Sequence, residues 1–304
     1  MLILIVGITG NLGQRLAKAA LSRGQQVRGL GRDSTKLPPD LHASLESFIP
    51  SHSYYDIPAI ERAVAGVDAV VCAYSTNPVL YLDGALLLLR AAERAQVGIF
   101  VAPTWTSNWT NIRYGDFAIY DSLIAFSNHA ALTSSIRPVY IINGSFAEYL
   151  LAEGTGSFEQ EGGVARAYYW GDMNKRKIPW TAMDDAAAWT IEILLNGEGV
   201  QEGRGGVFQF QSGYNSLEEL VAVYEEELGV EVQLVCRGNT QDLEQRLASL
   251  EKDGSRQRIS DHTYLAWSRL GLKGCWDLQN PLRFDNAKQP TTFAEHVRSR
   301  PKRV

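Results

Sequence analysis

The chain has 304 residues, 45% of them hydrophobic, and 29 Lys and Arg against 34 Asp and Glu give it a formal charge of −5. That composition supplies a large core and argues against a nucleic-acid partner; the one basic cluster, Arg298, Arg300, Lys302 and Arg303, reads as a solvated terminus. Cys72, Cys236 and Cys275 lie far apart and the five histidines are scattered, so neither a disulfide framework nor a metal site is expected and a reducing, cytoplasmic setting fits best.

Leu2 to Val6 is a continuous β-branched and leucine run, the pattern of a strand buried on both faces of a parallel sheet rather than of a signal peptide. A helix should follow, with Leu12, Leu16, Ala19 and Ala20 on one face and Gly24 as its C-cap, before a second strand over 26–30. Residues 32–40 are polar and contain Pro38-Pro39, a loop signal. Strands are then expected at 45–49, 68–73, 97–102 and 139–142, with helices at 57–65, 81–95 and 122–134 between them. Six strands alternating with helices predict an α/β fold of Rossmann type, a doubly wound parallel sheet. No apolar run is long enough to span a membrane.

After Phe146 the rhythm changes: glycines at 154, 156, 162 and 163, a turn-rich aromatic stretch Tyr168-Tyr-Trp-Gly-Asp172, and helices near 184–195, 216–228 and 240–250. The expected division is a nucleotide-binding domain over 1–150 and a smaller α/β substrate lobe over 151–304, able to pack as one unit with the first. Asn108-Trp-Thr and Asn143-Gly-Ser match the glycosylation pattern, by chance if the protein is cytosolic.

The sharpest motif is Gly7-Ile-Thr-Gly10-Asn-Leu-Gly13, between the first strand and the first helix. Gly7 permits a tight turn, Gly10 lets backbone approach a pyrophosphate, Gly13 lets helix and strand pack closely, and the helix start offers unpaired N–H groups. After the second strand, where NAD-specific domains present an acid to the ribose, this chain has Gly31-Arg32-Asp33; Arg32, with Lys36 beyond it, suits a 2′-phosphate and favours NADP(H).

The glycine turn, the Arg after the second strand, Phe100-Val-Ala-Pro103, Asn143-Gly-Ser-Phe-Ala-Glu148, Ile178-Pro-Trp-Thr-Ala-Met-Asp-Asp185 and Leu272-Lys-Gly-Cys-Trp276 together resemble the NmrA-like and isoflavone-reductase-like branch of atypical short-chain dehydrogenases. The resemblance implies NADP(H) binding and, often, reduction of a small-molecule carbonyl, imine or activated alkene. The implied cofactor contacts are Gly7, Thr9, Gly10, Asn11, Leu12, Gly13, Arg32, Lys36, Ser75, Thr76, Pro103, Asn143 and Phe146. Reductases of this family carry a Lys in the helix before the sixth strand, and here that position falls on Ile124, with no Lys or Arg between Tyr114 and Ile136. Without an ammonium, Tyr120, Asp121 or His129 becomes the candidate proton source.

Three readings stay open: a reductase with a different proton donor, a non-redox cyclase or isomerase that uses NADP(H) structurally, and an NADP(H)-sensing regulatory protein. Ligands of doubly wound folds bind outside the carboxyl ends of the strands, so Asn77, Thr104, Trp105, Asn108 and Trp109 are the candidate substrate contacts, and the two indoles suit a bulky aromatic or heterocyclic molecule, as in secondary metabolism. The chain is expected to act as a monomer or homodimer on a small molecule.

Overall fold

A computed structural model describes residues 1–161, 164–252 and 263–300. Strand β1 (Leu2–Val6) is an inner strand of a seven-stranded parallel sheet. Its alternation explains why: Leu4 and Val6 enter one apolar layer, Ile3 and Ile5 the other, and none of the four is more than 1% exposed. Burying each such side chain contributes about 1.5–3 kcal/mol, so the strand is anchored from both faces. Helix α1 (Asn11–Ser22) follows and ends before Gly24, whose φ of +69° is the left-handed conformation that glycine adopts without strain.

The chain continues through β2 (Gln26–Gly31), α2 (Pro39–Ala43), β3 (Ser47–Pro50), α3 (Ile57–Val64), β4 (Ala69–Cys72), α4 (Ala85–Arg94), β5 (Ile99–Val101), α5 (Ala118–Thr133) and β6 (Val139–Ile142). Beyond these come β7 (Ser145–Phe146), β8 (Phe158–Glu161), β9 (Val164–Tyr169), β10 (Lys177–Thr181), α6 (Met183–Asn196), β11 (Gly206–Gln209), β12 (Gly213–Ser216), α7 (Leu217–Leu228), β13 (Val232–Cys236), α8 (Thr240–Lys252), α9 (Thr263–Leu272) and α10 (Phe293–Ser299). The main sheet runs β11-β6-β5-β4-β1-β2-β3. Helices α3, α4 and α5 cover one face, and α1, α2 and α6 the other.

The strand order reverses between β1 and β4, so the crevice at their carboxyl ends is the ligand position of this fold. Two three-stranded sheets, β12-β10-β7 and β13-β9-β8, stand beyond that edge. They share an apolar cluster with α7 and α10. The chain passes between the two regions repeatedly: β7 pairs with β10, whereas α6 and β11, from beyond residue 150, complete the main sheet.

Several elements differ from the sequence expectation. The helix expected over 81–95 begins with a π-helical turn, Leu80–Gly84. The loop expected over 32–40 holds a 3-10 turn, Ser34–Lys36, and the start of α2. The glycine-rich stretch from 154 contains β8 and β9, which pair with each other, and β9 pairs in turn with β13, Val232 opposite Ala165 and so 67 residues on, outside the reach of a local pattern. The solvated basic tail is corrected at Arg300, whereas Lys302 and Arg303 lie outside the described residues. Arg298 pairs with Glu227, and Arg300 turns inward onto backbone carbonyls.

Candidate functional site

A cavity of about 560 Å³ runs from the glycine turn across the switch point to the second and third sheets. At its first end the wall is backbone. Gly7 has a φ of +76°, and a Cβ there would stand 2.7 Å from the Ala73 carbonyl oxygen; one on Gly13 would stand 2.3 Å from that of Gly7. Those contacts let α1 approach β1 closely enough to aim its start at the crevice. Gly10 is the N-cap residue and no side chain caps the helix, so first-turn amides stay open toward Gly10, Asn11, Leu12 and Gly13 in the cavity wall.

Arg32 is exposed at the end of β2, with no ion pair or hydrogen bond to its guanidinium among the described residues. One carboxylate oxygen of Asp33 is taken: Oδ1 accepts from the Thr35 hydroxyl and from the Thr35 amide at 3.0 Å, which holds the group below the usual carboxylate range. Lys36 is exposed in the same turn. The Gln14 side chain bridges the Thr9 and Lys36 carbonyls, at 3.2 and 3.4 Å, and so ties this rim to the glycine turn.

At the other end the wall is side chain. Tyr74, Tyr81, Tyr149, Tyr168, Tyr169 and Tyr264 line it with Trp105, Trp267, Met173 and Met183. Among the described residues Arg176 is the one formally charged side chain in the lining, and its Nε donates to Asp172 at 2.7 Å. Among the described residues no carboxylate lines the cavity. The Gly84 of the π-helical turn lies under Tyr74, where a Cβ would meet the ring at 3.0 Å.

Between the two ends lies a chain of hydroxyls. The Trp267 Nε1 donates to Ser107 Oγ at 3.1 Å. Ser107, through its hydroxyl and its amide, also reaches the Tyr120 phenol, and that phenol is hydrogen-bonded to Thr106 Oγ1. All four side chains line the cavity. Tyr120 is otherwise sealed by Phe117 and Trp276, and burial pushes its phenol above the ordinary value of 10. It is therefore a protonated hydroxyl throughout the neutral range, opening onto the cavity through Thr106. A second phenol, Tyr81, donates to Thr76 Oγ1 at 3.1 Å on the facing wall.

Of the cofactor contacts expected from sequence, Gly10, Asn11, Leu12, Gly13, Ser75, Thr76, Pro103 and Phe146 line the cavity, Gly7 supports the turn beneath it, and Thr9, Arg32 and Lys36 stand at its rim. Asn143 is not in the lining. Its side chain is wholly buried, with neither amide atom partnered among the described residues. Trp105 lines the cavity and also clamps its loop to α6, donating to Thr190 Oγ1 at 2.8 Å.

The other substrate candidates are turned away. Asn77 caps the π-helical turn through the Val79 amide, Thr104 Oγ1 accepts from the Ile141 amide, Asn108 donates to the Asp277 carbonyl, and Trp109 packs edge-on against Tyr140. Each satisfies or covers the loop it sits on, which a strand-end position alone does not reveal. Asn108 and Asn143 are at most 1% exposed, so neither glycosylation match presents an accessible amide.

Two of the three proton-source candidates also lie off the cavity. His129 is exposed and faces Arg90 at 3.2 Å, and Asp121 accepts from the Gly115 amide at 2.7 Å. Ile124 packs against the core layer of α3, α4 and α5 and is not in the cavity lining. Sequence reasoning missed Thr106, Trp267 and the Tyr149–Leu151 wall. A signal for Trp267 was present: Thr263, Tyr264, Trp267 and Ser268 fall on one helical face, the spacing of a wall-forming stripe. Among the described residues no three His, Cys, Asp or Glu side chains gather as a metal site, and no helix is long and apolar enough to cross a membrane.

The NmrA-like family model matches residues 1–253. The chain belongs to the NmrA-like family. Solved structures agree on the fold. This NmrA-like chain superposes on AtPrR2 with NADP+ and (+)pinoresinol at 20% identity and TM-score 0.73, covering 97% of each chain. An isoflavone reductase matches at 15% identity and TM-score 0.75, covering 97% of this chain and 98% of that one. The NADPH-dependent quinone oxidoreductase QOR2 complexed with NADPH from Escherichia coli matches at 20% and 0.71, covering 98% of both. No curated protein matches by sequence.

Proposed function

We propose that this protein is an NADPH-dependent reductase of a bulky, uncharged aromatic or heterocyclic small molecule. The observation that carries the reading is the hydroxyl chain Trp267–Ser107–Tyr120–Thr106, set in the wall between a backbone-built nucleotide crevice and an aromatic chamber. The structural neighbours named with NADP+ or NADPH support the choice of cofactor, as do the unpaired Arg32 and the Lys36 beside it, suited to a 2′-phosphate.

Bound NADPH would supply the hydride. The open amides of α1 would hold its pyrophosphate, with Pro103 and Phe146 against the remainder of the dinucleotide. The aromatic wall orients the substrate and excludes water from the reacting face. Tyr120, kept protonated by burial, gives its proton to the substrate through Thr106 Oγ1, and Ser107 steadies the phenolate left behind. Ile124 stands where the family's reductases have Lys, so the hydroxyl relay takes over that role. Among the described residues no carboxylate lines the cavity, so none of them pairs with a cationic substrate by charge.

The division into a cofactor-binding half over 1–150 and a substrate lobe over 151–304 belongs to this reading, as does a cytoplasmic monomer or homodimer; the three free cysteines suit a reducing compartment. The deciding experiment supplies NADPH with a panel of aromatic ketones, enones and quinones, and follows nicotinamide absorbance and product mass together. Reduction at a one-to-one ratio supports the reading. Conversion without cofactor consumption would replace it with a cyclase or isomerase, and cofactor binding with no conversion of any panel member would favour a sensor.

A further inference from the structure

The wall made by Tyr149, Leu150 and Leu151, just after β7, has no regular structure beyond the 3-10 turn Ala147–Tyr149. Leu151 carries a φ of +46°, a left-handed conformation in which a branched side chain is strained by about 1 kcal/mol or more. Something outside the loop must hold it. Arg300, at the end of α10, puts its guanidinium under this segment: Nη1 donates to the Leu151 carbonyl at 3.0 Å, and Nη2 to those of Leu150 and Ala147, the latter at 3.2 Å. Its Nε reaches His296 Nε2 at 3.3 Å, and the group lies 5.8 Å from the Tyr224 ring centroid. One planar fork thus bonds three loop carbonyls against an apolar cluster, that of Ala147 also accepting the Leu150 amide.

We propose that Arg300 is a positioning residue, the latch through which the C-terminal helix holds the 147–151 wall in the shape that accepts substrate. The proposal rests on the reading of this end of the cavity as the substrate site. Arg300 touches no cavity atom itself; it acts through the carbonyls of residues that do. A single ammonium lacks the fork geometry, so lysine is not an adequate replacement.

The test uses the full chain with Arg300→Ala and Arg300→Lys. Hydrogen exchange is read at the amides of 149–152 and across β1–β6, with affinities for NADPH and for the flat aromatic probe 8-anilinonaphthalene-1-sulfonate. Both variants should exchange about tenfold faster at 149–152 and bind the probe about tenfold more weakly, with NADPH affinity and β1–β6 exchange unchanged. Low concentrations of guanidinium ion should restore probe binding to Arg300→Ala, a rescue that general loss of stability does not show. Unchanged exchange at 149–152, or equal acceleration across β1–β6, overturns the latch. If the probe does not slow exchange at 149–152 in the unaltered protein, the substrate reading of this wall falls instead.

Discussion

The two ends of the cavity are built from different materials. The glycine-turn end is main chain: Gly7, Gly10 and Gly13 bring a helix start to the carboxyl end of β1, and most of that geometry is set within a dozen residues of sequence, Gly7 also backing onto Ala73. The aromatic end is side chain, assembled from the loop after β5, the turn after β7, β9 and α9, with α10 bracing the turn from behind. A site made of backbone tolerates few substitutions but is indifferent to the rest of the protein. A site made of converging side chains can change its ligand one residue at a time, and depends on distant segments to hold it.

The largest expected effect breaks the first end. Gly13→Val places its Cβ against the Gly7 carbonyl, 2.3 Å away in the present backbone, so α1 must move off β1. NADPH affinity should fall at least about a thousandfold by fluorescence titration, since amides that position a pyrophosphate work only at close range. If a folded Gly13→Val protein binds NADPH normally, the backbone-built crevice is not the cofactor site.

The next tests the opposite end without moving it. Tyr120→Phe should lower kcat about a hundredfold in the proposed reduction while leaving NADPH affinity intact, the usual scale for losing a positioned proton donor. Thr106→Val should act in the same direction. Because burial raises the phenol above its ordinary value of 10, kcat of the unaltered enzyme should stay flat through neutral pH, declining only in the alkaline range as the donor ionises. A Tyr120→Phe enzyme with full kcat would remove the hydroxyl relay.

The same contrast explains what the sequence disclosed. β1, the glycine turn, the doubly wound sheet and the rim position of Arg32 are each set by spacing over a few residues, and all stand where the pattern puts them. The hydroxyl chain is different. Ser107 and Trp267 are 160 positions apart, and nothing local distinguishes Thr106, which meets the phenol, from Thr104, which is spent on the Ile141 amide. His129 illustrates the converse. Its helix was foreseen, but it faces Arg90 and solvent. Arg300 was misread because charge at a terminus is ordinarily solvated, and only the packing of α10 turns it inward.

Ile124→Lys sharpens the comparison at intermediate size. The position packs against the core layer and is not in the cavity lining, so an ammonium there meets apolar neighbours before it meets a substrate. Stability to urea should drop by about 2 kcal/mol with no gain in kcat. A faster enzyme would mean that the helix presents this face to the reaction after all. Smaller again, Arg32→Ala should weaken NADPH binding about tenfold and NADH binding hardly at all, the cost of one charge-assisted phosphate contact. Equal losses for both cofactors would remove the assignment of a 2′-phosphate to that rim.

The smallest effect concerns the segment that ties the substrate end together. His296 is held neutral, its value lowered from 6.5 to about 4 first by burial and then by the Arg300 charge. Arg15, Asp184 and the Ala147 backbone also act on it, and α10 packs against α7 and the loop carrying Glu148. A depressed histidine contributes stability that is complete above the unfolded value and is lost as pH falls toward the folded one, because the unfolded chain takes up the proton first. Between pH 6.5 and about 5.5 this amounts to about 1 kcal/mol. Glu148 opposes it: burial raises its carboxyl, so acidification favours the folded form at that group. Urea midpoints for the unaltered protein and His296→Gln across this range separate the two, since only the variant loses the histidine's slope. Identical slopes would mean that the imidazole titrates as freely in the folded chain as in the unfolded one, and that Arg300 does not keep it neutral.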